Sequence, residues 1–353
     1  MVSKRLIDLR FTAGLFSDWG VVVRKYSLAI SIYLIVFLFC VSVGSVTIPI
    51  EDILHSFKAL LAGHELNNQY DRIIYFIRIP RVIVSGLVGV SLALSGAIMQ
   101  GLLKNPLADG STLGISSGAS LGAVIAIITG FKIPYLPFYG TVVMAIVFSF
   151  GSLIFILSLA YRIDKTLSNN TVILVGVIFS MTTGSLISLL IAIFNNDVQR
   201  IIFWTMGYLS GSTYQNALLL LISIVIFGGL ALLKSEEMNA FSLGENQARN
   251  LGVDVKKTRL LLFLCASSLI GTAVSVGGNI GFVGLIIPHM TRLLFGYNHK
   301  VVLPMTVFIG AIFLMITDLI SRTLFSPAEL PIGVITALIG SVLFIGIFSR
   351  RRV

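Results

Sequence analysis

Ten long apolar stretches constrain the fold of this chain more than any other feature of its sequence. They cover residues 25–46, 81–103, 111–129, 138–161, 171–194, 214–233, 259–277, 281–296, 301–321 and 332–349. An apolar helix needs about 20 residues to cross a bilayer, and only a helix or a closed barrel satisfies its backbone polar groups there. The sequence therefore predicts an all-α integral membrane protein with about ten transmembrane helices in a single compact bundle.

The composition supports a membrane protein and excludes the soluble enzyme classes. Only 11% of the 353 residues are charged and 56% are hydrophobic, whereas soluble domains carry about 25% charged residues. No linker rich in Pro, Gly or Ser divides the chain, so we expect residues 1–353 to form one polytopic membrane domain. The two cysteines, Cys40 and Cys265, lie inside apolar stretches and have no spacing typical of a disulfide framework or a metal site.

The distribution of positive charge predicts the orientation. When residues 1–24 are taken as a cytoplasmic N-terminal segment and Lys25 is counted with them, 18 of the 25 Lys and Arg residues fall on the inner side and 7 on the outer side. This asymmetry is typical of a multi-pass protein of the cytoplasmic membrane with both termini in the cytoplasm. The net charge of +10 therefore reflects topology and contact with the lipid bilayer, and we expect no nucleic acid partner.

Small residues recur at a spacing of four in two of the apolar stretches. They are Ser85, Gly89, Ala93 and Ala97 in one stretch, and Gly114, Gly118 and Gly122 in the other. Such stripes let helices approach closely. We interpret both as packing surfaces, although the serines beside the glycine stripe leave a role in lining a transport path open.

Charged residues within the apolar stretches are few. Asp318 and Arg322 are four residues apart, so they share a helix face and can pair. Alternatively, Arg322 can extend to the outer surface and remain available to a partner. His289 and Arg292 follow Pro288 at an inner helix end, where positive groups suit the helix dipole. No metal ligation is expected at His289, because the other histidines lie in separate loops.

The longest inner loop, residues 234–258, is a candidate docking segment. Gly244 and Gly252 divide it into two predicted short helices, and Ala248, Leu251 and Val255 share one apolar side that suits a groove on a partner. A solvated connector is the alternative. The chain contains no phosphate-binding loop and no hydrolase motif, so any ATP that drives this protein is hydrolysed by another chain.

Six motifs identify a family resemblance when they are taken in order. They are Arg78-Ile-Pro80-Arg81; Asn105-Pro106-Leu-Ala-Asp-Gly110 with Leu113-Gly114; Phe203-Trp204-Thr-Met-Gly207; Leu243-Gly244-Glu245 with Ala248 and Leu251-Gly252; Gly281-Phe-Val-Gly-Leu-Ile-Ile-Pro288-His289 with Arg292; and Ala328-Glu329-Leu330-Pro331-Ile-Gly333. From about residue 25 to residue 350, the chain resembles the permease subunits of type II ABC importers for iron-siderophores, haem and vitamin B12.

The resemblance implies a larger assembly. A second permease subunit, identical or paralogous, would pair with this chain around a central path, two ATP-binding subunits would bind at the cytoplasmic face, and an extracytoplasmic substrate-binding protein would deliver substrate. The chain itself would hold no cofactor and no metal, because the partner ATPase binds ATP and Mg.

The resemblance also assigns roles to residues. It implies that a coupling segment seats on the ATPase, and this segment comprises Leu243, Gly244, Glu245, Ala248, Leu251 and Gly252. It implies that Arg78, Arg81 and Arg322 meet acidic residues of the binding protein. The remaining motif residues are expected in the translocation path and in helix packing: Asn105, Pro106, Gly114, Gly118, Gly122, Pro288, His289, Arg292, Glu329 and Pro331.

The expected function is ATP-driven import of an iron(III)-siderophore, with haem or cobalamin as alternative substrates. An ion-coupled secondary transporter is a weaker alternative, because Asp318 is the only acid well inside an apolar stretch and a proton or sodium relay needs several. A membrane-embedded enzyme is weaker still, because the sequence shows no cluster of catalytic residues.

Overall fold

The computed structural model describes residues 24–62, 68–133, 140–194 and 197–349, which are mostly helical. The helices are α1 (Arg24–Ser42), α2 (Ile50–Ala62), α3 (Gln69–Leu103), α4 (Ile115–Thr129), α5 (Gly140–Ile163), α6 (Asn169–Ile193), α7 (Val198–Thr205), α8 (Tyr214–Leu233), α9 (Ser235–Leu243), α10 (Glu245–Asn250), α11 (Val255–Gly277), α12 (Val283–Phe295), α13 (His299–Thr323) and α14 (Ile332–Ser349). A π-helical turn at Ile74–Arg78 interrupts α3, and another at Ile224–Gly228 interrupts α8.

Each predicted apolar stretch overlaps one apolar helix. Seven helices are long and apolar enough to cross a membrane, namely α1, α3, α5, α6, α8, α11 and α13, while α4, α12 and α14 are shorter apolar helices. The all-helical prediction is confirmed for the described part of the chain. The predicted cytoplasmic segment 1–24 lies outside the described residues apart from Arg24.

Helix boundaries differ from the prediction at the end of the bundle that the charge distribution predicts to be outer, and we name the two ends outer and inner after that prediction. The third helix begins at Gln69 rather than near residue 81, and α2 and α7 lie in segments that the sequence predicts to be outer loops. These helices are short and alternate apolar with polar residues, so a search for long apolar runs misses them.

The centre of the molecule is built on α3, which packs against α11, α12 and α13. Glycines bring these backbones into contact: a Cβ on Gly89 would lie 2.2 Å from the carbonyl oxygen of Gly310, and one on Gly96 would lie 1.9 Å from that of Gly284. The most apolar window of α3 is 89% buried, compared with 11% for α1. The predicted small-residue stripe on α3 is therefore a packing surface.

The glycine stripe on α4 lies against α5. A Cβ on Gly118 would lie 2.5 Å from the Cβ of Ser152, and one on Gly122 would lie 2.4 Å from the carbonyl oxygen of Met144. Gly114 precedes α4 with a φ of +74°, in the left-handed region that favours glycine. These contacts support the packing interpretation of the stripe.

Candidate functional site

The outer end of the bundle contains a buried ionic cluster, which we call the arginine cluster and define as Arg78, Arg81, Asp318, Arg322 and Glu329. Arg81 at the start of α3 binds Asp318 through Nη2 at 3.0 Å and Glu329 through Nη1 at 2.7 Å. The predicted pair between Asp318 and Arg322 is also formed, with 3.6 Å between the Arg322 Nε and the Asp318 Oδ2. Three segments of the chain, namely α3, α13 and the segment before α14, are therefore joined by these ion pairs.

The other two arginines in the cluster bind the end of α1. Arg78 Nη1 donates to the carbonyl oxygens of Val41 at 3.1 Å and Ser42 at 2.6 Å, and its Nη2 donates to that of Val46. Arg322 Nη2 donates to the carbonyl oxygen of Cys40. The last carbonyls of a helix lack partners within it and carry partial negative charge, so these guanidinium groups cap α1.

The structure corrects one expectation about these arginines. Arg78, Arg81 and Arg322 are only 4%, 7% and 3% exposed, so their guanidinium groups are not free at the outer surface. The physical reason is that carboxylates and carbonyl groups of distant segments surround them. The cations that remain exposed in the predicted outer segments of the described chain are Lys58, Arg72, Lys132 and Arg200.

Two of the sequence motifs meet below the arginine cluster. The N–H groups of Ile332 and Gly333, which follow Pro331, donate to the carbonyl oxygens of Gly207 and Met206 at 3.0 Å each. Beside this contact lies an open cavity of about 560 Å³, which we call the apolar cavity, lined by residues such as Met206, Phe282 and Leu338. This cavity is a candidate part of a translocation path, and Pro331 and Glu329 border the segment that shapes it.

The predicted pair of short helices in the inner loop is confirmed. The first, α9, ends at Leu243 and is followed by Gly244, whose φ is +122°. Gly252, two residues after the end of α10, has a φ of +82°. Both values lie in the region where side chains other than glycine are strained. We call the segment from Leu243 to Gly252 the coupling segment.

The orientation of the coupling segment differs from the prediction. Ala248 is completely buried and belongs to the hydrophobic core of its own chain, together with Val255. The apolar side of α10 therefore packs against its own chain, and Ala248 is not available to a partner. Leu243 and Leu251 are instead 62% and 65% exposed, so they are the apolar groups available for a partner. Glu245 forms an ion pair with Arg259.

A cavity of about 840 Å³ opens beside the coupling segment, which we call the coupling cavity. Its lining includes Glu236, Leu251, Asp254 and Lys257. A hydrogen bond and the charge of Lys300 lower the pKa of Glu236, and hydrogen bonds from Lys257 lower the pKa of Asp254. Both carboxylates are therefore ionised near neutral pH, and this exposed surface is charged around an apolar centre.

A third concavity lies at the inner ends of α3, α12 and α13. We call it the inner pocket, and it has a volume of about 440 Å³ with Gln100, Lys104, His289, Arg292 and His299 in its lining. Arg292 Nη1 donates to the side-chain oxygen of Gln100. The motif residues His289 and Arg292 therefore come together here with Gln100, Lys104 and His299, which sequence reasoning did not assign to a site. The one sequence signal for this site is the polar amide of Gln100 near the end of an apolar stretch.

The neighbouring motif residues have local structural roles. Asn105 accepts a hydrogen bond on its side-chain oxygen from the N–H of Leu107 at 2.9 Å, which turns the chain after α3. Pro106 lines the inner pocket, and Pro288 lies within α12. Of the residues expected in a path, Pro106, His289 and Arg292 therefore line the inner pocket, whereas Glu329 belongs to the arginine cluster and Pro331 borders the apolar cavity.

Comparisons with known proteins agree with this architecture. Residues 32–350 match the model of the FecCD transport family. The molybdate import permease MolB of Haemophilus influenzae is 34% identical over 86% of this chain and 88% of its own length. The cobalamin import permease BtuC of Halobacterium salinarum is 37% identical, covering 78% and 73% of the two chains. The hemin transport permease HmuU of Yersinia pestis is also 37% identical, covering 78% and 83%.

A solved structure has the same fold. It is described as an inward-facing conformation of a metal-chelate type ABC transporter, and it superposes with a TM-score of 0.81 at 31% identity, covering 93% of this chain and 99% of the other. The matches therefore span nearly the whole chain, both in sequence and in three dimensions. This chain belongs to the FecCD transport family and is a multi-pass permease subunit of an ABC importer.

Proposed function

We propose that this permease translocates an iron(III)-siderophore across the cytoplasmic membrane, driven by ATP hydrolysis in a partner subunit. Haem and cobalamin are the alternative substrates. The observation that carries the ATP-driven mechanism is the coupling segment, which presents Leu243 and Leu251 to solvent, each directly before a glycine with positive φ. An apolar pair on a short helical projection suits a groove on a second protein.

The coupling segment connects a partner directly to the buried core. Ala248 anchors α10 against the core, and the ion pair of Glu245 with Arg259 ties α10 to α11. A displacement of the exposed leucines by a moving ATPase would therefore be transmitted to α11, which packs on α3. ATP and Mg bind to two partner ATPase subunits. Because ATP binds the two conformational states of the importer with different affinities, it supplies the energy of alternating access.

A second permease subunit completes the path in this proposal. The apolar cavity beside Met206 and Phe282 is open on one side, and a facing subunit, identical or paralogous, would close it. No covalent chemistry by this chain is needed. Substrate would pass between the two subunits as the helices around this cavity change their relative positions.

Docking of an extracytoplasmic binding protein follows from the exposed outer cations. Lys58, Arg72, Lys132 and Arg200 can steer an acidic surface towards the permease, because such charges raise association rates more than they raise affinity. The arginine cluster would then hold the outer ends of α1, α3 and α13 in the shape that the binding protein recognises. A direct contact of Arg78, Arg81 or Arg322 with the partner would require this cluster to open.

The substrate class is supported by the character of the path and by the relatives. The apolar cavity offers few polar groups, including Thr205, Asn279 and Ser341, and a wide apolar surface suits a bulky chelate. The relatives are named for molybdate, cobalamin and hemin, so one architecture serves chemically different cargoes. We assign the selection of the cargo to the binding protein.

Transport by the reconstituted importer tests the proposal. The permease, its ATPase and its binding protein are placed in liposomes, and uptake of a ferric siderophore, haem, cobalamin and molybdate is compared. We expect siderophore uptake to require ATP and to persist when proton and sodium gradients are collapsed. Uptake of haem or cobalamin without siderophore uptake would reassign the substrate. Uptake driven by an ion gradient without ATP would overturn the mechanism.

A further inference from the structure

The inner pocket contains an arginine that lacks an acidic partner. Arg292 is partly buried, and its Nη1 donates to the neutral amide oxygen of Gln100. Among the described residues it forms no ion pair, whereas Arg81 and Arg322 at the outer end both bind Asp318. Taking a cation out of water is costly unless an opposite charge compensates it. An anion in this pocket would supply that charge.

The position of Arg292 is fixed by the surrounding structure. Gln100 is 4% exposed, and its side-chain nitrogen donates to the carbonyl oxygens of Gly284 at 3.1 Å and Leu285 at 3.0 Å. These bonds orient the amide oxygen of Gln100 towards Arg292. The guanidinium group is thus held in place by α3 and α12 before any ligand binds, which reduces the entropy cost of binding.

A buried histidine provides a second polar group. His299 is 4% exposed, and its Nδ1 lies 2.9 Å from the side-chain oxygen of Asn239 on α9. Its Nε2 has no hydrogen-bond partner in the part of the chain that the structure describes. Gly101 packs closely against this atom, because a Cβ there would lie only 2.9 Å from Nε2. Because the amide oxygen of Asn239 only accepts, the ring proton is on Nδ1, and Nε2 is an acceptor that suits a hydroxyl group of the ligand.

The electrostatic surroundings of the pocket are positive. Lys104 lies at its exposed rim, and no Asp or Glu of the described residues contributes to its lining. The acids of the adjacent α9 are already paired, Glu236 with Lys300 and Glu237 with Lys234. The pocket therefore combines two cations, Arg292 and Lys104, without a compensating carboxylate in its described lining.

We propose that the inner pocket binds a phosphate-type oxyanion, provided either by the headgroup of an anionic lipid of the inner leaflet or by free phosphate. Arginine suits this chemistry because its planar group binds phosphate oxygens in pairs. Basic pockets between helices on the cytoplasmic side commonly receive lipid headgroups. A volume of about 440 Å³ accommodates more than a single phosphate. The bound anion would link α3, α12 and α13 close to α9, which leads into the coupling segment.

Binding to the purified full-length permease tests this site. The protein is placed in nanodiscs of phosphatidylcholine alone or of equimolar phosphatidylcholine and phosphatidylglycerol, and thermal unfolding and the retained lipid are measured. In the phosphatidylcholine discs, sodium phosphate is titrated against sodium chloride at equal ionic strength. We expect one of the two probes to raise the unfolding midpoint. Stabilisation by phosphate identifies a free oxyanion, and stabilisation by phosphatidylglycerol alone identifies the lipid headgroup.

Variants assign the effect to the pocket. Lys104→Gln should weaken binding of the effective probe about tenfold, because one charged hydrogen bond is lost, and Arg292→Gln should weaken it further. Lys165→Gln removes an exposed cation that lies outside the pocket and should bind as the wild type does. If Arg292→Gln does not fold, Lys104→Gln still tests the proposal, because Lys104 is exposed and its replacement should not disturb folding. The proposal is overturned if neither probe stabilises the wild type, or if Lys165→Gln loses as much binding as Lys104→Gln.

Discussion

At the outer end of α13, Asp318 and Arg322 are 1% and 3% exposed, whereas at its inner end Lys300 binds Glu236 with both side chains more than half exposed, at 53% and 72%. Charged residues at the two ends of α13 therefore occur in opposite environments. The buried charges are surrounded by groups from four segments, and the exposed pair is surrounded by water. The outer charges hold the fold together, while the inner surface remains free for a partner.

This contrast has an energetic basis. Separating a buried ion pair leaves an unpaired charge in a medium that cannot solvate it, whereas an exposed pair is replaced by water at little cost. The arginine cluster therefore resists change, and the region around the coupling segment tolerates it. Substitutions at the two ends should consequently affect different properties, namely stability at the outer end and partner binding at the inner end.

The largest effect is expected for Asp318→Asn in the arginine cluster. This change removes the negative charge between Arg81 and Arg322 and leaves two buried cations close together. We expect the free energy of unfolding to fall by about 3–5 kcal/mol, seen as a lower thermal unfolding midpoint and poor yield in detergent. The matched control is Glu236→Gln at the inner end, which should leave the midpoint unchanged. Equal midpoints for the two variants would show that burial of the cluster does not matter.

The second effect concerns the buried side of the coupling segment. Ala248→Trp forces a large ring into the core beneath α10, and overpacking of this kind costs about 1–3 kcal/mol. We expect a lower unfolding midpoint together with reduced co-purification of the ATPase, because the segment would be displaced. Leu251→Trp is the control at an exposed neighbour and should leave stability unchanged. A stable Ala248→Trp permease would show that Ala248 faces outward.

The sequence predicts the helical framework well, because the bilayer imposes long apolar runs that are visible in one dimension. It also predicts the two short helices of the inner loop, since Gly244 and Gly252 interrupt the helical pattern locally. The Asp318 and Arg322 pair is predictable for the same reason, because its members are separated by one helical turn. These features all depend on residues that are close in sequence.

The burial of the arginines is not predictable from local pattern. Arg81 binds Asp318 and Glu329, which lie more than 200 residues further along the chain, so only the packed structure shows that the positive charge is neutralised internally. The direction of Ala248 fails for a related reason. A helical pattern shows which residues share a side, but it does not show whether that side packs on its own chain or on a partner.

A smaller effect is expected for Gly244→Ala, at the bend between α9 and α10. No atom lies within 4 Å of a Cβ placed there, so the cost arises only from the backbone, whose φ of +122° and ψ of 152° suit glycine. We expect about 1–2 kcal/mol of strain, which the loop can relieve by changing the angle between the two helices. Transport should fall more than the unfolding midpoint.

The control for Gly244→Ala is Gly151→Ala in α5. Gly151 also has open space around a Cβ, but it lies in a helix, where alanine is favoured over glycine by up to about 1 kcal/mol. This variant should be as stable as the wild type or slightly more stable, with normal transport. If Gly244→Ala behaves in the same way, the bend does not depend on the left-handed conformation of glycine.

The smallest effect on stability is expected for Leu251→Ser, and it separates the two regions most sharply. Leu251 is 65% exposed, so its replacement removes little buried surface and should leave the unfolding midpoint within error of the wild type. If the leucine enters a groove on the ATPase, the loss of a buried apolar side chain should reduce binding about tenfold or more. Co-purification of the ATPase and ATP-driven uptake are measured with Leu218→Ser as the control, because Leu218 is 57% exposed on α8, away from the coupling segment. Retained ATPase binding by Leu251→Ser would assign the partner surface elsewhere, whereas a selective loss would show that the inner face is exposed because another protein covers it.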